Sequence, residues 1–377
     1  GEAARVETVR RRLLDLYSRW GYELVIPPLV EYLESLLTGT GNDLDLQTFK
    51  LTDQLTGRLM GVRADMTPQV ARIDNHQLKR DVPTRLCYLG PVLHTRPEGL
   101  GGSRSPLQVG AELYGHTGLE SDLEVLSLMV ETLRTVGLQG LHVDLGHVGI
   151  FRGLAARAGL APELEAQLFD ALQRKAVPEI GELLESANLE PAVRRMLAAL
   201  ATLNGGPEIL ERAEEELADA GSEVHKALSE LRQLAEAARR LLPEVSFNFD
   251  LAELRGYHYH TGAVFAALVP GQGRAVALGG RYDDIGEVFS RPRPATGFST
   301  DLNALIRLVP EQTTPPSGIF APALGDEALE SAVAELRAAG ERVIRALPGQ
   351  SGTAADMGCD RELARQNGGW EVRALGA

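Results

Sequence analysis

Apolar residues recur at helical spacing first and then at strand spacing along this chain. From Ala3 to Trp20 the apolar positions lie three or four residues apart, which predicts an amphipathic helix that ends at Gly21. The next segment, YELVIPPLVEY, has the apolar content of a strand, but Pro27 and Pro28 exclude continuous central pairing. We therefore expect this segment at the edge of a sheet or at an interface.

Short strands bounded by turn-forming residues are predicted in the next part of the chain. They are the stretches TFKLTD, RLMGVRAD, TRLCYLGPVLH and LQVGAELYG. Strand character returns in VSFNFDL, which alternates at period two, and in GAVFAALVPGQGRAVALGG, which has the turn of a hairpin. Between about Phe151 and Leu242 the composition shifts to Ala, Leu, Glu and Arg, so we predict an all-helical insert there.

A linker is predicted at TTPPSG, around Pro315, and a small alternation of strands and a helix follows it. The predicted fold class is therefore α+β. Residues 1–150 and 243–312 are expected to form one domain, residues 151–242 the helical insert, and residues 317–377 a small C-terminal α/β domain.

The composition and net charge of the chain disfavour several classes of function. The 377 residues carry 38 Lys and Arg against 52 Asp and Glu, and the net charge of -14 opposes binding to nucleic acid or to anionic lipid. The two cysteines, Cys87 and Cys359, stand outside any disulfide framework or zinc-ligand spacing. No apolar stretch approaches the roughly 20 residues that cross a bilayer. We predict a cytoplasmic protein.

Two pairs of polar residues are candidates for a site. Asp65 and Thr67, in VRADMTPQVAR, fit a helix cap before Pro68 when that stretch is considered alone. Gln108 and Glu112 stand four residues apart on a predicted strand, so they share one face, and the opposite face is apolar. That polar face fits contact with solvent as well as contact with a ligand.

The stretch RGYHYHTG is the densest polar and aromatic cluster. Its guanidinium, phenol and imidazole groups offer ion pairing, stacking and hydrogen bonding, and they belong to Arg255, Tyr257, His258, Tyr259 and His260. A metal held by the two histidines is disfavoured, because no third ligand stands nearby. Imidazoles bonded to the neighbouring backbone explain the pattern equally well. We predict no metal and no cofactor.

Six motifs resemble the catalytic domain of the histidyl-tRNA synthetase family, in the same order, over roughly residues 3–310. They are VRADMTPQVAR, GPVLHTRP, LQVGAELYG, LRGYHYHTG, LGGRYDD and ATGFSTDL. The resemblance implies a class II aminoacyl-tRNA synthetase-like antiparallel sheet flanked by helices. It also implies a histidine-type pocket lined by Asp65, Thr67, Gln108, Glu112, Arg255 and Tyr259, with Tyr257, His258 and His260 completing the loop that closes over the ligand.

The chain departs from that family where a synthetase binds ATP. The family has one arginine in an FRxE-like motif, where this chain reads Leu-His-Thr at 93–95 before Arg96, and another in a GxGxER-like motif, where it reads Asp-Leu-Asn-Ala at 301–304. Loss of both cationic groups would leave activation of an amino acid by ATP negligible. In the loop, His258 and His260 replace the Asp and Tyr typical of the family.

A synthetase-like scaffold without its ATP-binding arginines resembles the family of regulatory subunits of ATP phosphoribosyltransferase. The stretches RPATGFSTDL and GCDRELARQNGGWEVRAL resemble that family too. The resemblance implies a subunit without catalysis of its own. Such a subunit activates a short catalytic chain in the first step of histidine biosynthesis, allows feedback inhibition by histidine, and forms a dimer within a hetero-oligomer that binds neither tRNA nor membrane.

Two other functions remain open from the sequence. One is a stand-alone histidine sensor, and the other is an active histidyl-tRNA synthetase, which the missing arginines and the acidic balance disfavour. The place of a bound histidine also remains open, because the synthetase-like pocket and the interface between subunits both fit.

Overall fold

A computed structural model of the protein describes residues 1–37, 42–97, 102–254, 256–257, 259–285, 291–310, 317–366 and 368–375. The chain forms two compact units, Gly1–Val309 and Pro310–Ala377. Among the described residues, no helix is both long and apolar enough to cross a membrane.

The strands, in chain order, are β1 (Glu23–Leu24), β2 (Val30–Tyr32), β3 (Phe49–Thr52), β4 (Leu59–Val62), β5 (Thr84–Pro91), β6 (Leu107–Tyr114), β7 (His142–His147), β8 (Asn204–Gly205), β9 (Ser246–Asp250), β10 (Ala263–Leu268), β11 (Ala277–Arg281), β12 (Ala295–Asp301), β13 (Ile319–Ala321), β14 (Val343–Arg345), β15 (Arg361–Gln366) and β16 (Gly369–Ala374).

The helices are α1 (Glu2–Arg19), α2 (Leu33–Leu36), α3 (Asn42–Gln47), α4 (Thr67–Arg72), α5 (Leu119–Val136), α6 (Val148–Ala158), α7 (Pro162–Gln173), α8 (Val177–Ser186), α9 (Pro191–Ala199), α10 (Glu208–Glu216), α11 (Ser222–Leu241), α12 (Leu302–Leu308) and α13 (Glu327–Ala338). A π-helical turn over Ile73–Leu78 extends α4. The first helix confirms the prediction from the apolar spacing.

The first unit is built on a large sheet with the strand order β1-β5-β6-β12-β11-β10-β7-β9-β8. Its central strands, from β5 to β7, pair antiparallel, as the resemblance implies. Towards its two edges the sheet is mixed, because β1 pairs parallel with β5 and β9 pairs parallel with β7. A parallel pair requires a long connection, and between β7 and β9 the helical residues supply it. The position of β1 confirms the edge predicted for YELVIPPLVEY.

The two faces of β6 have different surroundings. Val109 and Ala111 are fully buried, on the face that belongs to the main hydrophobic core. On the neighbouring strand β12, Phe298 packs edge-on against Tyr17 of α1, with the ring centroids 6.4 Å apart. Because successive side chains of a strand alternate between faces, Gln108, Gly110 and Glu112 belong to the opposite face. We call this opposite face the polar face.

Helices α6 to α11 occupy most of the predicted insert, but the expectation of an all-helical segment is wrong at one point. Strand β8 pairs antiparallel with β9, Gly205 opposite Phe249 and Asn204 opposite Asp250. The edge of β9 offers backbone hydrogen-bonding groups that a passing segment can satisfy. The helical residues belong to the same compact unit as the sheet. The division of the chain into three parts stays a prediction.

Two smaller sheets complete the chain. Strands β2, β4 and β3 form an antiparallel sheet in the first unit. In the C-terminal unit the order is β14-β13-β15-β16, with β13 parallel to both of its neighbours. Helix α13 contributes Leu329 and Val333 to the core of this unit, beside Ile319 and Leu363 of the sheet.

Candidate functional site

A buried carboxyl group lies at the centre of the polar face. Glu112 is 1% exposed. Its Oε1 accepts hydrogen bonds from Thr67 Oγ1, at 3.1 Å, and from the Tyr88 hydroxyl, at 2.9 Å. Its Oε2 accepts a hydrogen bond from the Tyr282 hydroxyl. The carboxyl group is thus surrounded by neutral hydroxyl donors that come from three separate segments of the chain.

Burial raises the pKa of Glu112 to about 8. The hydroxyl donors lower this pKa and the negative charge of Asp65 raises it, but both effects are smaller than that of burial. Near neutral pH the group therefore holds a proton, so that one carboxyl oxygen donates to a neighbouring hydroxyl oxygen, and it can give this proton up when a basic or cationic group comes close. Carboxyl groups with such raised pKa values concentrate at functional sites.

Gln108 and Asp65 form the second part of the site. Gln108 Nε2 donates to Asp65 Oδ1 at 2.7 Å, and Gln108 Oε1 accepts from the backbone N–H of Met66 at 2.9 Å. Asp65 Oδ1 also accepts from the backbone N–H of Thr67 at 3.0 Å, at the start of α4. Asp65 therefore supports the helix start and also contacts the polar face.

Two glycines form the floor beside the carboxyl group. Glu112 pairs with Gly297 across β6 and β12, and Gly297 pairs with Gly280 across β12 and β11, so the three residues share one row and one face. A Cβ on Gly297 would overlap Glu112 Oε2, and a Cβ on Gly280 would lie 2.9 Å from His260 Nε2. The backbone of two buried glycines thus separates a carboxyl group from an imidazole ring.

The loop that follows β9 brings part of RGYHYHTG to this floor. His260 is buried, whereas Tyr259 is 55% exposed, and their ring centroids are 4.3 Å apart. Gly256 has a φ of +72°, and a Cβ there would overlap the ring of His260, so the turn needs glycine. Arg255 and His258 lie outside the described residues.

Tyr257 lies away from this floor. Its ring packs against Phe151 of α6 and Phe169 of α7, with centroid distances of 5.3 Å in both cases. Its hydroxyl donates to Glu165 Oε1 of α7 at 2.7 Å. The structure therefore places Tyr257 among the helices rather than beside Glu112, because side chains in a tight turn leave it in different directions.

The two stretches that resemble the synthetase family's ATP-binding motifs make internal contacts. His94 is buried, and its Nε2 lies 2.9 Å from the backbone carbonyl of Ala64. Asp301 Oδ1 accepts from the backbone N–H groups of Leu107 and Asn303, both at 3.0 Å, and caps α12. Both positions are therefore used for internal contacts.

Two family models match the chain. The first, for histidyl-tRNA synthetase, covers residues 1–305. The second, for the C-terminal domain of the ATP phosphoribosyltransferase subunit HisZ, covers residues 316–373. A regulatory subunit of ATP phosphoribosyltransferase from Thioalkalivibrio sulfidiphilus is 66% identical over 97% of this chain and 93% of its own length. This chain belongs to the family of ATP phosphoribosyltransferase regulatory subunits.

Solved structures share the fold of this chain. A protein from Bacillus halodurans, described as an ATP phosphoribosyltransferase regulatory subunit/histidyl-tRNA synthetase, is 29% identical, with a TM-score of 0.82 over 94% of this chain and 92% of that one. The HisG:HisZ ATP phosphoribosyl transferase complex from Thermotoga maritima contains a chain that is 20% identical, with a TM-score of 0.60 over 78% of this chain and 96% of that one, which shows the fold alone. The predicted fold class is confirmed.

In this regulatory-subunit chain, sequence reasoning placed Thr67 in the pocket with Glu112 but missed other residues that surround Glu112. Tyr88 and Tyr282 each donate a hydrogen bond to Glu112, and Gly297 leaves room for its carboxyl group. The motif LGGRYDD could have identified Tyr282 as a site residue, because this tyrosine directly follows a strand that ends in two glycines and an arginine. Tyr88 lies on a strand whose partner was not known from the sequence.

Proposed function

We propose that this chain is a regulatory subunit without catalytic activity of its own, which binds and activates a short-form catalytic subunit of ATP phosphoribosyltransferase. The observation that carries the proposal is the 66% identity to a protein named as that regulatory subunit, over 97% of this chain. The related protein from Thermotoga maritima was solved in a HisG:HisZ complex, which supports a catalytic partner for this chain as well. The reaction served is the first step of histidine biosynthesis.

The geometry of the polar face supports a regulatory rather than a catalytic role. Adenylate formation requires cationic groups on the phosphates of ATP. The stretches 93–95 and 301–304, which resemble the family motifs that supply these groups, contain no arginine, and Arg96 is an exposed side chain. The acids and the amide of an amino-acid site are nevertheless present in Asp65, Gln108 and Glu112.

Histidine is the ligand that we assign to this face. Its ammonium group can donate hydrogen bonds to the side-chain oxygens of Asp65 and Gln108. Its imidazole can accept the proton that Glu112 holds near neutral pH. Bound histidine then favours one conformation of the subunit over another, and the catalytic partner responds to that preference by linkage. Arg255, His258 and Tyr259 remain predicted members of the pocket, on the loop that closes over the ligand.

Self-association as a dimer is part of the same proposal. Three large apolar side chains stand exposed in the edge segment, Leu24 at 45%, Ile26 at 79% and Leu29 at 43%. Neighbouring exposed apolar residues mark interaction surfaces. We expect Ile26→Lys to convert a dimer into monomers in gel filtration with light scattering, whereas Val177→Lys, at an exposed position on α8, leaves the mass unchanged. A dimer that survives Ile26→Lys would exclude this surface.

The decisive experiment measures the formation of phosphoribosyl-ATP by the short catalytic subunit of the same organism. We expect strong activation when this chain is added and reversal of that activation by histidine. No activation and no co-elution of the two proteins would contradict the proposal and favour the stand-alone sensor. Histidine-dependent exchange of pyrophosphate into ATP by this chain alone would instead identify a working synthetase.

Two variants locate the histidine within the complex. We expect Glu112→Gln and Gln108→Ala to raise the histidine concentration for half-inhibition at least tenfold while activation persists, because each change removes a group that contacts the ligand. Glu131→Gln, on the surface ion pair with Arg134, is the matched control. Unchanged inhibition in both site variants would indicate that histidine binds at the interface between the subunits instead.

The cytoplasmic location of the protein stays a prediction.

A further inference from the structure

The loop between β9 and β10 is held largely by the helical region. We call residues 251–261 the closing loop, since it carries Tyr259 and His260, and its residues 255 and 258 lie outside the described part of the chain. The backbone N–H of Leu251 donates to the carbonyl of Leu203, at 3.0 Å, at the end of the segment after α9. At its other end, Thr261 N–H donates to the carbonyl of Arg281 of β11 at 2.7 Å.

Helix α7 lies along the first half of the closing loop. Near its first turn, Glu165 accepts the hydrogen bond from the Tyr257 hydroxyl, and one turn later Phe169 packs on the same phenol ring. Just beyond its end, Lys175 Nζ lies 2.7 Å from Oδ2 of Asp250, the last residue of β9. Helix α7 and the segment directly after it therefore hold both Asp250 and Tyr257.

Helix α6 adds a contact in the second half. Arg152 Nη2 donates to the backbone carbonyls of Tyr257 and His260, both at 3.0 Å, and its guanidinium lies 5.1 Å from the centre of the Tyr257 ring. One nitrogen thus bridges the start and the end of the turn. Burial, followed by the influence of Glu165, raises the pKa of Tyr257 to about 12, so its hydroxyl remains a donor at physiological pH.

The turn presents its side chains on two sides. Tyr257 points into the helices, whereas the imidazole of His260 lies over Gly280 on the polar face. The backbone N–H of His260 donates to the carbonyl of Gly256 at 2.8 Å, so Tyr257 and His260 belong to one hydrogen-bonded turn. A shift of His260 towards a ligand must therefore move Tyr257, or break the hydrogen bonds that hold it.

We propose that Arg152, Tyr257 and Glu165 are positioning residues that link helices α6 and α7 to the polar face, so that histidine bound beside His260 and Tyr259 stabilises α7. This inference rests on the proposed function, because it takes histidine as the ligand. It differs from that proposal in assigning the helical region a part in the response. The binding of histidine and the stabilisation of α7 are thermodynamically linked. A variant that weakens the contacts between the helices and the closing loop therefore also weakens the binding of histidine.

The test uses the full chain and histidine itself. Histidine affinity is measured by titration calorimetry, and the protection of residues 162–173 is measured by amide hydrogen exchange with and without histidine. In the wild-type chain we expect histidine to slow exchange in α7. In Tyr257→Phe and Arg152→Gln we expect affinity to fall roughly three- to tenfold, the usual effect of a lost hydrogen bond, and the slowing of exchange in α7 to disappear.

Arg157→Gln is the matched control, because Arg157 lies on the same helix and pairs with the exposed Glu190 at 4.0 Å, away from the closing loop. Glu165→Gln is the milder companion, since its amide oxygen still accepts the hydrogen bond from Tyr257, and we expect it to lose less affinity than Tyr257→Phe. This companion keeps the test valid if the other variants fold poorly.

The outcomes separate the inference from the function on which it rests. Folded Tyr257→Phe and Arg152→Gln chains with wild-type affinity and wild-type protection of α7 would overturn the inference and leave the proposed function intact. Activation of the catalytic subunit, measured without histidine on the same variants, shows whether the regulatory role survives. A wild-type chain that binds no histidine would overturn both the inference and the histidine pocket.

Discussion

Two of the buried acidic residues of the first unit, Asp74 and Glu112, have different kinds of partner. Asp74 is completely buried, and Arg293 Nη1 lies 3.0 and 3.1 Å from its two carboxylate oxygens. Arg293 also donates to the carbonyls of Arg80 and Val82, both at 2.7 Å. The carboxyl group of Glu112 instead contacts the hydroxyl groups of Thr67, Tyr88 and Tyr282. A compensated buried acid serves the fold, whereas an acid surrounded by neutral donors retains the capacity to respond to a ligand.

The largest effect is expected from breaking the compensated pair. Arg293→Leu leaves Asp74 buried without its cation, and we expect a loss of about 3–5 kcal/mol in the free energy of unfolding, measured by urea denaturation. Arg291→Leu is the nearby control, because its partner Asp81 is exposed, and it should cost about 1 kcal/mol or less. Equal losses in the two variants would remove the distinction between a buried and an exposed pair.

A smaller effect is expected from filling the space beside Glu112. In Gly297→Ala the new methyl group overlaps Glu112 Oε2 and also approaches the carbonyl of Ala111, at 2.9 Å. We expect a loss of about 3 kcal/mol in stability, at the upper end for overpacking, together with loss of histidine binding. Gly181→Ala, in open space on α8, should instead stabilise the protein by about 0.5–1 kcal/mol.

The smallest of the three effects depends on pH. The folded-state pKa of Glu112, about 8, lies above its ordinary value of 4.5, so folding takes up a proton between these two values. The contribution of this group to stability is therefore highest below about pH 4.5 and falls as the pH rises towards 8. Between pH 5 and pH 7 we expect the free energy of unfolding of the wild-type chain to fall by roughly 2 kcal/mol because of this group. Glu112→Gln should not show that decrease.

The measurement compares urea denaturation of the wild-type chain and Glu112→Gln at a series of pH values. Two parallel curves from pH 5 to pH 8 would contradict a raised pKa for Glu112. The equivalent change from an acid to an amide at Asp74, Asp74→Asn, should give a different result. It leaves the guanidinium of Arg293 buried without its anion, so we expect it to destabilise the protein at every pH in that range.

Local pattern was sufficient for some of these features and insufficient for others. The alternation in LQVGAELYG predicted that Gln108 and Glu112 share a face, because that property depends on one strand alone. Tyr88 and Tyr282 could not be assigned in this way, since their contacts with Glu112 depend on which strands are neighbours. The direction of the Tyr257 side chain could not be predicted either, because the directions of side chains in a loop depend on their tertiary contacts and have no sequence periodicity.

The pairing of β8 with β9 illustrates the same limit on a larger scale. A composition without strand formers predicted helices between Phe151 and Leu242, and helices occupy most of that segment. Two residues, Asn204 and Gly205, nevertheless pair with the edge of the sheet through backbone atoms that every residue type possesses. Backbone complementarity of this kind leaves little trace in the pattern of side chains.

The parallel pair formed by β7 and β9 also bears on how this protein can diverge. The helical region leaves the sheet after β7 and returns at β9, so insertions or deletions within it need not disturb the register of the central strands. The same region supports the closing loop through Glu165, Lys175 and Arg152. Its length can therefore drift between relatives while the fold persists, and sensitivity to the ligand would be the property that drifts with it.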